Sequence, residues 1–252
     1  MSKYFLEIKN RFFLLLLTWV STVLISYLYK EILLFSIVQP NLILNFGTGS
    51  AFFYFIFTNV TEIFSVYLQL VLFLSFQIFV LSFFYHIFSF LSPSLFYTEY
   101  FYLKFFYKTI VGVWFFSVIL LSYMLVPLTW NFFLSFQSLT KAYSFNLHFE
   151  AKLDEYLSFY IELYYLSVLY CQVFAALFFL LIHTNTNIKI VRKFRKLNYY
   201  FFILFSTLIS PPDILSQVLI STVTILLYEF LLFSFMIRSS LILLIRQPIK
   251  TN

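Results

Sequence analysis

The chain has 252 residues and a mass of 30.3 kDa. Hydrophobic residues make up 62% of it, aromatic residues 25% and charged residues only 10%, whereas a soluble domain averages about 25% charged residues. Its one cysteine, Cys171, excludes an intrachain disulfide and a cluster of thiolate metal ligands. The composition therefore predicts an integral membrane protein whose spans are helices.

Apolar runs recur along the chain, and the hydrocarbon core of a bilayer needs about 20 such residues per helix. The predicted spans are 12–29, 63–89, 105–128, 157–182, 197–210 and 214–237. At about 1.5 Å per residue the fifth span reaches only about 21 Å, so it requires local thinning of the bilayer or forms half of a re-entrant hairpin. We expect a single all-α membrane domain, residues 1–252, with six transmembrane helices, of which helices five and six are short.

The basic residues between the spans predict the orientation, because lysine and arginine are retained on the cytoplasmic or matrix side. With an inner N-terminus, three basic residues fall outside, Lys30, Lys141 and Lys152, and thirteen fall inside. The inner ones are Lys3, Lys9, Arg11, Lys104, Lys108, Lys189, Arg192, Lys193, Arg195, Lys196, Arg238, Arg246 and Lys250. Both termini are therefore predicted to lie inside, although a re-entrant hairpin gives the same count. The net charge of +6 thus indicates sidedness and no nucleic-acid partner.

Carboxylates are scarce on the predicted inner face. Of the ten in the chain, only Glu7 and Glu99 lie there, and each has basic neighbours. This pattern fits local pairing, such as Glu7 with Arg11 at i,i+4, or a site for a cationic ligand, since carboxylates bind guanidinium groups bidentately. Glu229 lies within the sixth predicted span, where an ionisable residue indicates function unless its side chain reaches the inner interface.

Signatures of catalysis are absent from the sequence: it has no nucleophile elbow, Walker loop, HExxH or CxxC. We therefore expect no enzyme, and no cofactor or metal. His86 and His183 lie near the inner ends of spans two and four, which permits a bis-imidazole haem site, but two unliganded interfacial histidines are the simpler interpretation. The alternative function is a respiratory or ion-transport membrane subunit, either a haem anchor or a proton channel. A proton channel is expected to carry a buried arginine or a denser relay of carboxylates.

Three sequence motifs resemble the TatC family, the multispanning subunit of the twin-arginine (Sec-independent) protein translocase. The most specific is Leu-Ile-Ser-Pro-Pro-Asp-Ile-Leu-Ser-Gln at residues 208–217, followed by Tyr228 and Glu229. A second begins with Thr61-Glu62-Ile63-Phe64 and continues to Tyr85, Phe90-Leu91-Ser92-Pro93-Ser94-Leu95 and Glu99. The third is Leu6-Glu7-Ile8-Lys9-Asn10-Arg11. Together they extend over nearly the whole chain.

The resemblance implies six helices with both termini inside, short fifth and sixth helices and an outer cap. It also implies that the protein binds twin-arginine signal peptides of folded precursor proteins. Single-span TatA/TatB-like subunits would assemble on it for transport driven by the protonmotive force, and homo-oligomers would form in a larger complex within the lipid bilayer. The implied signal-peptide site is Glu7, Lys9, Arg11, Phe90, Pro93 and Glu99. The implied polar site for a partner helix is Gln172 and Glu229, and the outer-turn motif is Pro211, Pro212, Asp213 and Gln217.

The chain also departs from the family pattern. Leu81, Phe174 and Val223 stand where the family commonly has helix prolines, Lys9 replaces an arginine, and Gln172 replaces the glutamate of some members. The 39 phenylalanines are what a biased organellar nucleotide composition produces, and they fit a mitochondrially encoded branch. The expected location is the mitochondrial inner membrane, and otherwise the bacterial plasma membrane or the thylakoid.

Overall fold

The computed structural model of the chain describes residues 2–45, 55–140, 150–183, 188–210 and 212–246. Within these residues the regular structure is helical, apart from one isolated bridge between Ile56 and Lys152. The α-helices are α1 (Ser2–Leu28), α2 (Lys30–Asn45), α3 (Val60–Leu91), α4 (Tyr97–Leu120), α5 (Val126–Thr140), α6 (Leu153–His183), α7 (Ile188–Ile209) and α8 (Ile214–Arg246). A 3-10 turn, Ser92–Ser94, and a π-helical segment, Leu121–Leu125, connect some of them.

Four helical stretches of the described residues are long and apolar enough to cross a membrane: Tyr4–Leu28, Val60–Ser94, Tyr97–Ser135 and Leu153–Ala176. They correspond to the first four predicted spans. The shorter apolar helix Ile214–Phe230 corresponds to the sixth. Helix α7 begins within the basic run, so only its second half coincides with the predicted fifth span. The all-helical fold is thereby confirmed for the described residues, with four helices that could cross a membrane and a shorter apolar one. The count of six spans and their orientation stay predictions.

By its internal contacts the chain divides into two units, residues 1–165 and residues 166–252. In the first unit α1 and α2 pack on α3, and α3 packs on α4. A buried polar network joins three helices of this unit. The Trp114 indole N–H donates to the Tyr164 hydroxyl at 2.6 Å, and that hydroxyl donates to the side-chain carbonyl of Gln77 at 2.7 Å. Polar groups buried among apolar side chains need such partners, so the network fixes how these helices meet.

The third predicted span is part of a longer helical stretch than expected. Helices α4 and α5 are joined through the π-helical segment, where Val126 N–H bonds to the carbonyl of Leu121 five residues earlier. Pro127 follows at once, and it lacks the N–H that a regular α-helix would use. The π turn accommodates that missing donor, so the helix continues to Thr140 and does not end near residue 128.

Two connections of the first unit, the one that precedes α3 and the one that precedes α6, are joined to each other. Ile56 N–H bonds to the carbonyl of Ala151 at 3.0 Å, and Leu153 N–H bonds back to the carbonyl of Ile56 at 3.3 Å. Beside this bridge the Tyr156 ring lies 5.6 Å from the Trp130 ring, centroid to centroid. The chain segments that follow α2 and α5 therefore meet at the start of α6.

The second unit contains the end of α6 and a hairpin of α7 and α8. Phe202 on α7 is fully buried, and its ring contacts Tyr170 and Phe174 on α6 and Tyr228 on α8, at centroid distances of 6.2, 5.8 and 5.4 Å. The Asn198 amide donates to the Tyr228 hydroxyl at 2.7 Å. Phe202 therefore forms the centre of this unit, and the hydrogen bond from Asn198 to Tyr228 joins α7 to α8 near the basic start of α7.

Candidate functional site

Glu7 and Arg11 form an ion pair on the first turns of α1. Arg11 donates from Nε and from Nη2 to the same carboxylate oxygen, Oε1 of Glu7, at 3.0 and 2.6 Å. The Glu7 side chain is 43% exposed and the Arg11 side chain 24%. The spacing of four residues explains the pairing, because residues i and i+4 lie on one face of a helix. The local pairing that the sequence allows is therefore present.

Arg11 also connects α1 to α3. Its Nη1 donates to the Ser89 hydroxyl at 3.0 Å, and its guanidinium carbon lies 5.9 Å from the centre of the Phe90 ring, within cation–π range. All three guanidinium nitrogens of Arg11 therefore have contacts. Oε2 of Glu7, in contrast, accepts no hydrogen bond from the residues that the structure describes.

A surface pocket of about 570 Å³ adjoins this pair and is lined by Leu6, Glu7, Asn10, Arg11, Leu14 and His86. Its walls are mostly apolar, with one carboxylate and one guanidinium at the edge. The buried Nδ1 of His86 has no hydrogen-bond partner among the described residues. A pocket of this kind accommodates an aliphatic stem that ends in a cationic group.

Glu99 lies in the first turn of α4, just after the 3-10 turn that contains Pro93. Its Oε2 accepts the backbone N–H of Phe96 at 3.2 Å, as the carboxylate of a capping box does. Both Glu99 and Pro93 are exposed. A carboxylate at a helix N-terminus is also stabilised by the helix dipole. Glu99 is thus held by its own helix, and its Oε1 accepts no hydrogen bond within the described part of the chain.

Glu229 on α8 has a different environment. Arg195, near the start of α7, donates from Nε to Oε1 of Glu229 at 2.7 Å and from Nη2 to Oε2. The Tyr199 hydroxyl donates to Oε1 as well, and it accepts from Arg195 Nε at 2.6 Å. Both carboxylate oxygens are therefore bonded, in the side-on geometry that arginine and carboxylates favour.

The hydrogen bond to Glu229 raises the pKa of the Arg195 guanidinium above its ordinary value, and the contact with Tyr199 adds to the effect. A raised cation pKa means that the stabilisation is fully present below the ordinary arginine pKa and is lost only as the pH rises through the raised one. Arg195 therefore stays charged throughout the neutral range.

The open face of α8 beside this ion pair forms a shallow groove of about 660 Å³. It is lined by Val223, Leu226, Leu227, Glu229, Phe230 and Phe233.

Gln172 lies half-buried on α6 in the same unit, and Gln217 is half-buried on α8. The Asp213 carbonyl accepts the Gln217 N–H at 3.1 Å and the Ser216 hydroxyl at 2.9 Å, so Asp213, the residue before α8, bonds to the first turn of that helix. Pro212 is exposed, and Pro211 lies outside the described residues.

Of the signal-site residues that the motifs imply, the structure brings together Glu7, Arg11 and Phe90. Lys9 is exposed on α1.

Sequence reasoning missed Ser89, which no motif singles out, and the partnership of Arg195 and Tyr199 with Glu229. Tyr199 follows Arg195 by one helical turn, and that spacing is the one sequence signal of a shared partner. The haem alternative is not tested, because the side chain of His183 lies outside the described residues.

Comparisons with known proteins bear on the whole chain. The family model described as Sec-independent protein translocase protein (TatC) matches residues 3–222. The uncharacterized tatC-like protein ymf16 of Nephroselmis olivacea is 32% identical over 257 residues, which cover 99% of this chain and 98% of that protein. The Sec-independent protein translocase protein TatC of Rickettsia prowazekii is 27% identical over 235 residues, 90% of this chain and 89% of that one.

Among solved structures, the crystal structure of the twin-arginine translocase receptor TatC in DDM is similar to this fold. The TM-score is 0.63 at 18% sequence identity, and the match covers 91% of this chain and 98% of that one. At this identity the likeness concerns the fold alone.

Proposed function

Because the chain belongs to the TatC family of Sec-independent protein translocase proteins, we propose that this translocase subunit binds the twin-arginine signal peptides of folded precursors. The observation that carries the proposal is the state of Glu7 and Glu99. Each accepts internal hydrogen bonds on one carboxylate oxygen, and the other oxygen accepts none from the residues that the structure describes. Both are available to accept N–H groups from an arginine of a ligand.

The electrostatics of the predicted inner face support this site. Glu7 and Glu99 are its only carboxylates, among thirteen basic residues. A field of that sign repels a cationic peptide unless specific acceptors are provided. The pocket beside Glu7 offers an apolar wall for the stem of an arginine side chain. Phe90, beside Arg11, lies near the end of α3, and Pro93 lies in the 3-10 turn that leads to Glu99. Lys9 and Arg11 complete the proposed site.

The proposed topology has six spans with both termini inside, and α7 and α8 serve as the short fifth and sixth. The positive-inside count supports it. The basic start of α7 then lies at the inner interface, where the Arg195–Glu229 ion pair is in contact with water and lipid headgroups and a carboxylate inside an apolar helix is tolerated.

Single-span TatA/TatB-like subunits are the proposed partners. Gln172 and Glu229 are the proposed polar contacts of a partner helix that lies in the groove on α8, because polar side chains in a membrane hydrogen-bond across helices. Glu229 would exchange a bond to Arg195 or Tyr199 for one to the partner. The outer turn, Pro211, Pro212, Asp213 and Gln217, would set the outer end of that surface. Protonmotive-force-driven transport, homo-oligomers in a larger complex and location in the mitochondrial inner membrane belong to the same proposal. The high phenylalanine content supports the location.

Crosslinking of a signal peptide tests the proposal. A peptide with a photo-reactive group next to its arginine pair is titrated against the protein in nanodiscs, as wild type, Glu7→Gln, Glu99→Gln and the double variant. Charge-assisted hydrogen bonds contribute about 1.5 to 3 kcal/mol, so each single variant should bind roughly ten- to a hundredfold more weakly. Glu155→Gln, an exposed carboxylate at the start of α6, is the matched control and should bind like wild type.

A peptide in which lysines replace the arginine pair should bind more weakly to the wild type, because an ammonium cannot reproduce the planar geometry of a guanidinium. Equal labelling of the double variant and the wild type would reduce Glu7 and Glu99 to local salt-bridge and capping residues, and the site assignment would be wrong.

A further inference from the structure

The contacts of Arg11 are arranged in a way that ion pairing alone does not explain. Two of its nitrogens share Oε1 of Glu7, and the third is bonded to Ser89 on α3. The side chain lies against the Phe90 ring. An arginine that only neutralised Glu7 would need none of the contacts on α3. These contacts hold the guanidinium in one place relative to two helices.

The consequence falls on Glu7. Its side chain is 43% exposed, and a glutamate on an open helix face samples several rotamers. Here Oε1 is fixed by two hydrogen bonds, so the direction of the open oxygen Oε2 is fixed with it. A ligand that binds to Oε2 meets an acceptor whose orientation is already set, and less conformational freedom is lost on binding.

We propose that Arg11 is a positioning residue for the signal-binding carboxylate of Glu7, and that Ser89 holds Arg11 in position. The inference rests on the proposed function, because it concerns how the same site is presented to a signal peptide. Arg11 would stay in place when the ligand binds, and the arginine of the ligand would take Oε2. The positive charge of Arg11 repels a cationic ligand. The gain in affinity from orienting Glu7 therefore has to exceed the loss from this repulsion.

The opposite role would be a competitor that occupies Glu7 until the signal displaces it. The geometry favours positioning, because Oε2 is open without any movement of Arg11 and because release of Arg11 would also break its bond to Ser89. The two roles predict opposite signs. Weakening the hold on Arg11 lowers signal affinity if Arg11 positions Glu7, and raises it if Arg11 competes.

The test uses the full chain in nanodiscs and a twin-arginine signal peptide as the titrant. Ser89→Ala removes the anchor of Nη1 without changing any charge, and we expect signal affinity to fall about three- to fivefold. Ser82→Ala is the matched control: it is half-buried on the same helix, its hydroxyl bonds to the Phe79 carbonyl at 2.8 Å, and it should leave affinity unchanged. Arg11→Lys keeps the charge but loses the planar fork, and we expect about a tenfold loss.

A double-mutant cycle separates positioning from general damage to the fold. In a Glu7→Gln background, Ser89→Ala should cause no further loss, because the carboxylate that it orients is gone. An equal loss in both backgrounds, or tighter binding by Ser89→Ala or Arg11→Lys, would overturn the inference. If Glu7→Gln itself binds the signal normally, the proposed function fails first. If Glu7→Gln binds weakly while Ser89→Ala and Arg11→Lys bind like wild type, only the inference on Arg11 fails.

Discussion

Two arginine–carboxylate pairs among the described residues differ in how many carboxylate oxygens the arginine occupies. Arg11 bonds to one oxygen of Glu7, and the other oxygen accepts no hydrogen bond from the described residues. Arg195 bonds to both oxygens of Glu229, with a further bond from Tyr199. We refer to them as the open pair, Glu7–Arg11, and the closed pair, Arg195–Glu229. The capacity that remains after internal bonding, more than the presence of a carboxylate, determines whether a side chain can receive a ligand.

Local geometry explains the difference. In the open pair both residues belong to one helix, and the arginine is pulled to one side by Ser89 on α3, so its fork does not align with both oxygens. In the closed pair the residues lie on α7 and α8, 34 positions apart, and approach each other across the helix interface. The fork then matches the carboxylate side-on. The open pair is suited to recognition, and the closed pair to holding a hairpin together.

The largest expected effect is on labelling that reports the orientation of the chain in the membrane. The contrast between the open and closed pairs concerns signal binding only if both pairs lie at the inner face. A cysteine-reactive, membrane-impermeant label should reach positions 3 and 193 from the same side of the membrane, each tested as a single cysteine in a Cys171→Ser background. The expected difference between the two sides is all or none. Labelling of position 193 from the side opposite position 3 would contradict the proposed topology and with it the inner position of the closed pair.

The buried Tyr164 hydroxyl, like the closed pair, makes only internal hydrogen bonds. Its removal should lower the free energy of unfolding more than loss of the closed pair does. Tyr164→Phe removes the hydroxyl that accepts from Trp114 and donates to Gln77. It leaves the buried carbonyl of Gln77 and the half-buried indole of Trp114 without that contact, which costs about 1 to 3 kcal/mol. Thermal unfolding in detergent should show the loss, while signal binding stays unchanged. Tyr165→Phe, on the exposed side of the same helix, is the control, and equal losses in the two variants would refute a specific role for the network.

The closed pair should contribute less to the free energy of unfolding than the Tyr164 hydroxyl does, because Arg195 and Glu229 are 46% and 30% exposed. Pairs of that exposure contribute about 1 kcal/mol or less. Arg195→Lys keeps the charge and loses the side-on fork, so we expect a small fall in the midpoint of unfolding, about 2 °C. Lys196→Arg serves as a control on the same turn. A fall of the same size in both variants would mean that the geometry of the fork is irrelevant.

The smallest expected effect is on partner assembly. Replacement of Gln172 and Glu229 by leucine should leave the protein inserted and weaken crosslinking to a single-span partner, since hydrogen bonds between membrane helices contribute about 0.6 to 2 kcal/mol each. Loss of both side chains should reduce crosslinking about threefold. Unchanged crosslinking in the double variant would assign both residues to internal packing.

The four long apolar helical stretches were predictable because their apolar runs are about as long as a bilayer requires or longer, and hydropathy measures that preference directly. It does not measure backbone conformation, which is why the continuation of the third span through Pro127 to Thr140 was missed. The weak apolar character of α7 was visible in the sequence as a short run after a basic one. Whether such a helix crosses the membrane depends on lipid and partners that its sequence does not encode.

The candidate site divides in the same way. The pairing of Glu7 with Arg11 follows from helical spacing and was among the expected alternatives. The bond from Arg11 to Ser89 spans 78 positions, and nothing in a single sequence marks a serine as the anchor of a distant arginine. The arginines of the basic run served only to predict orientation, although Arg195 lies beside Glu229. The roles of Lys9, Pro93, Gln172 and Gln217 rest on the family pattern and stay predictions.

The central claim is tested most directly by measuring signal-peptide affinity and thermal unfolding side by side for Glu7→Gln and Glu229→Gln. For the open pair we predict a roughly ten- to hundredfold loss of affinity with a midpoint shifted by about 1 °C or less. For the closed pair we predict unchanged affinity with a midpoint lowered by about 2 to 4 °C. The account is contradicted if Glu229→Gln weakens signal binding as much as Glu7→Gln does, or if Glu7→Gln lowers the midpoint and leaves the affinity intact.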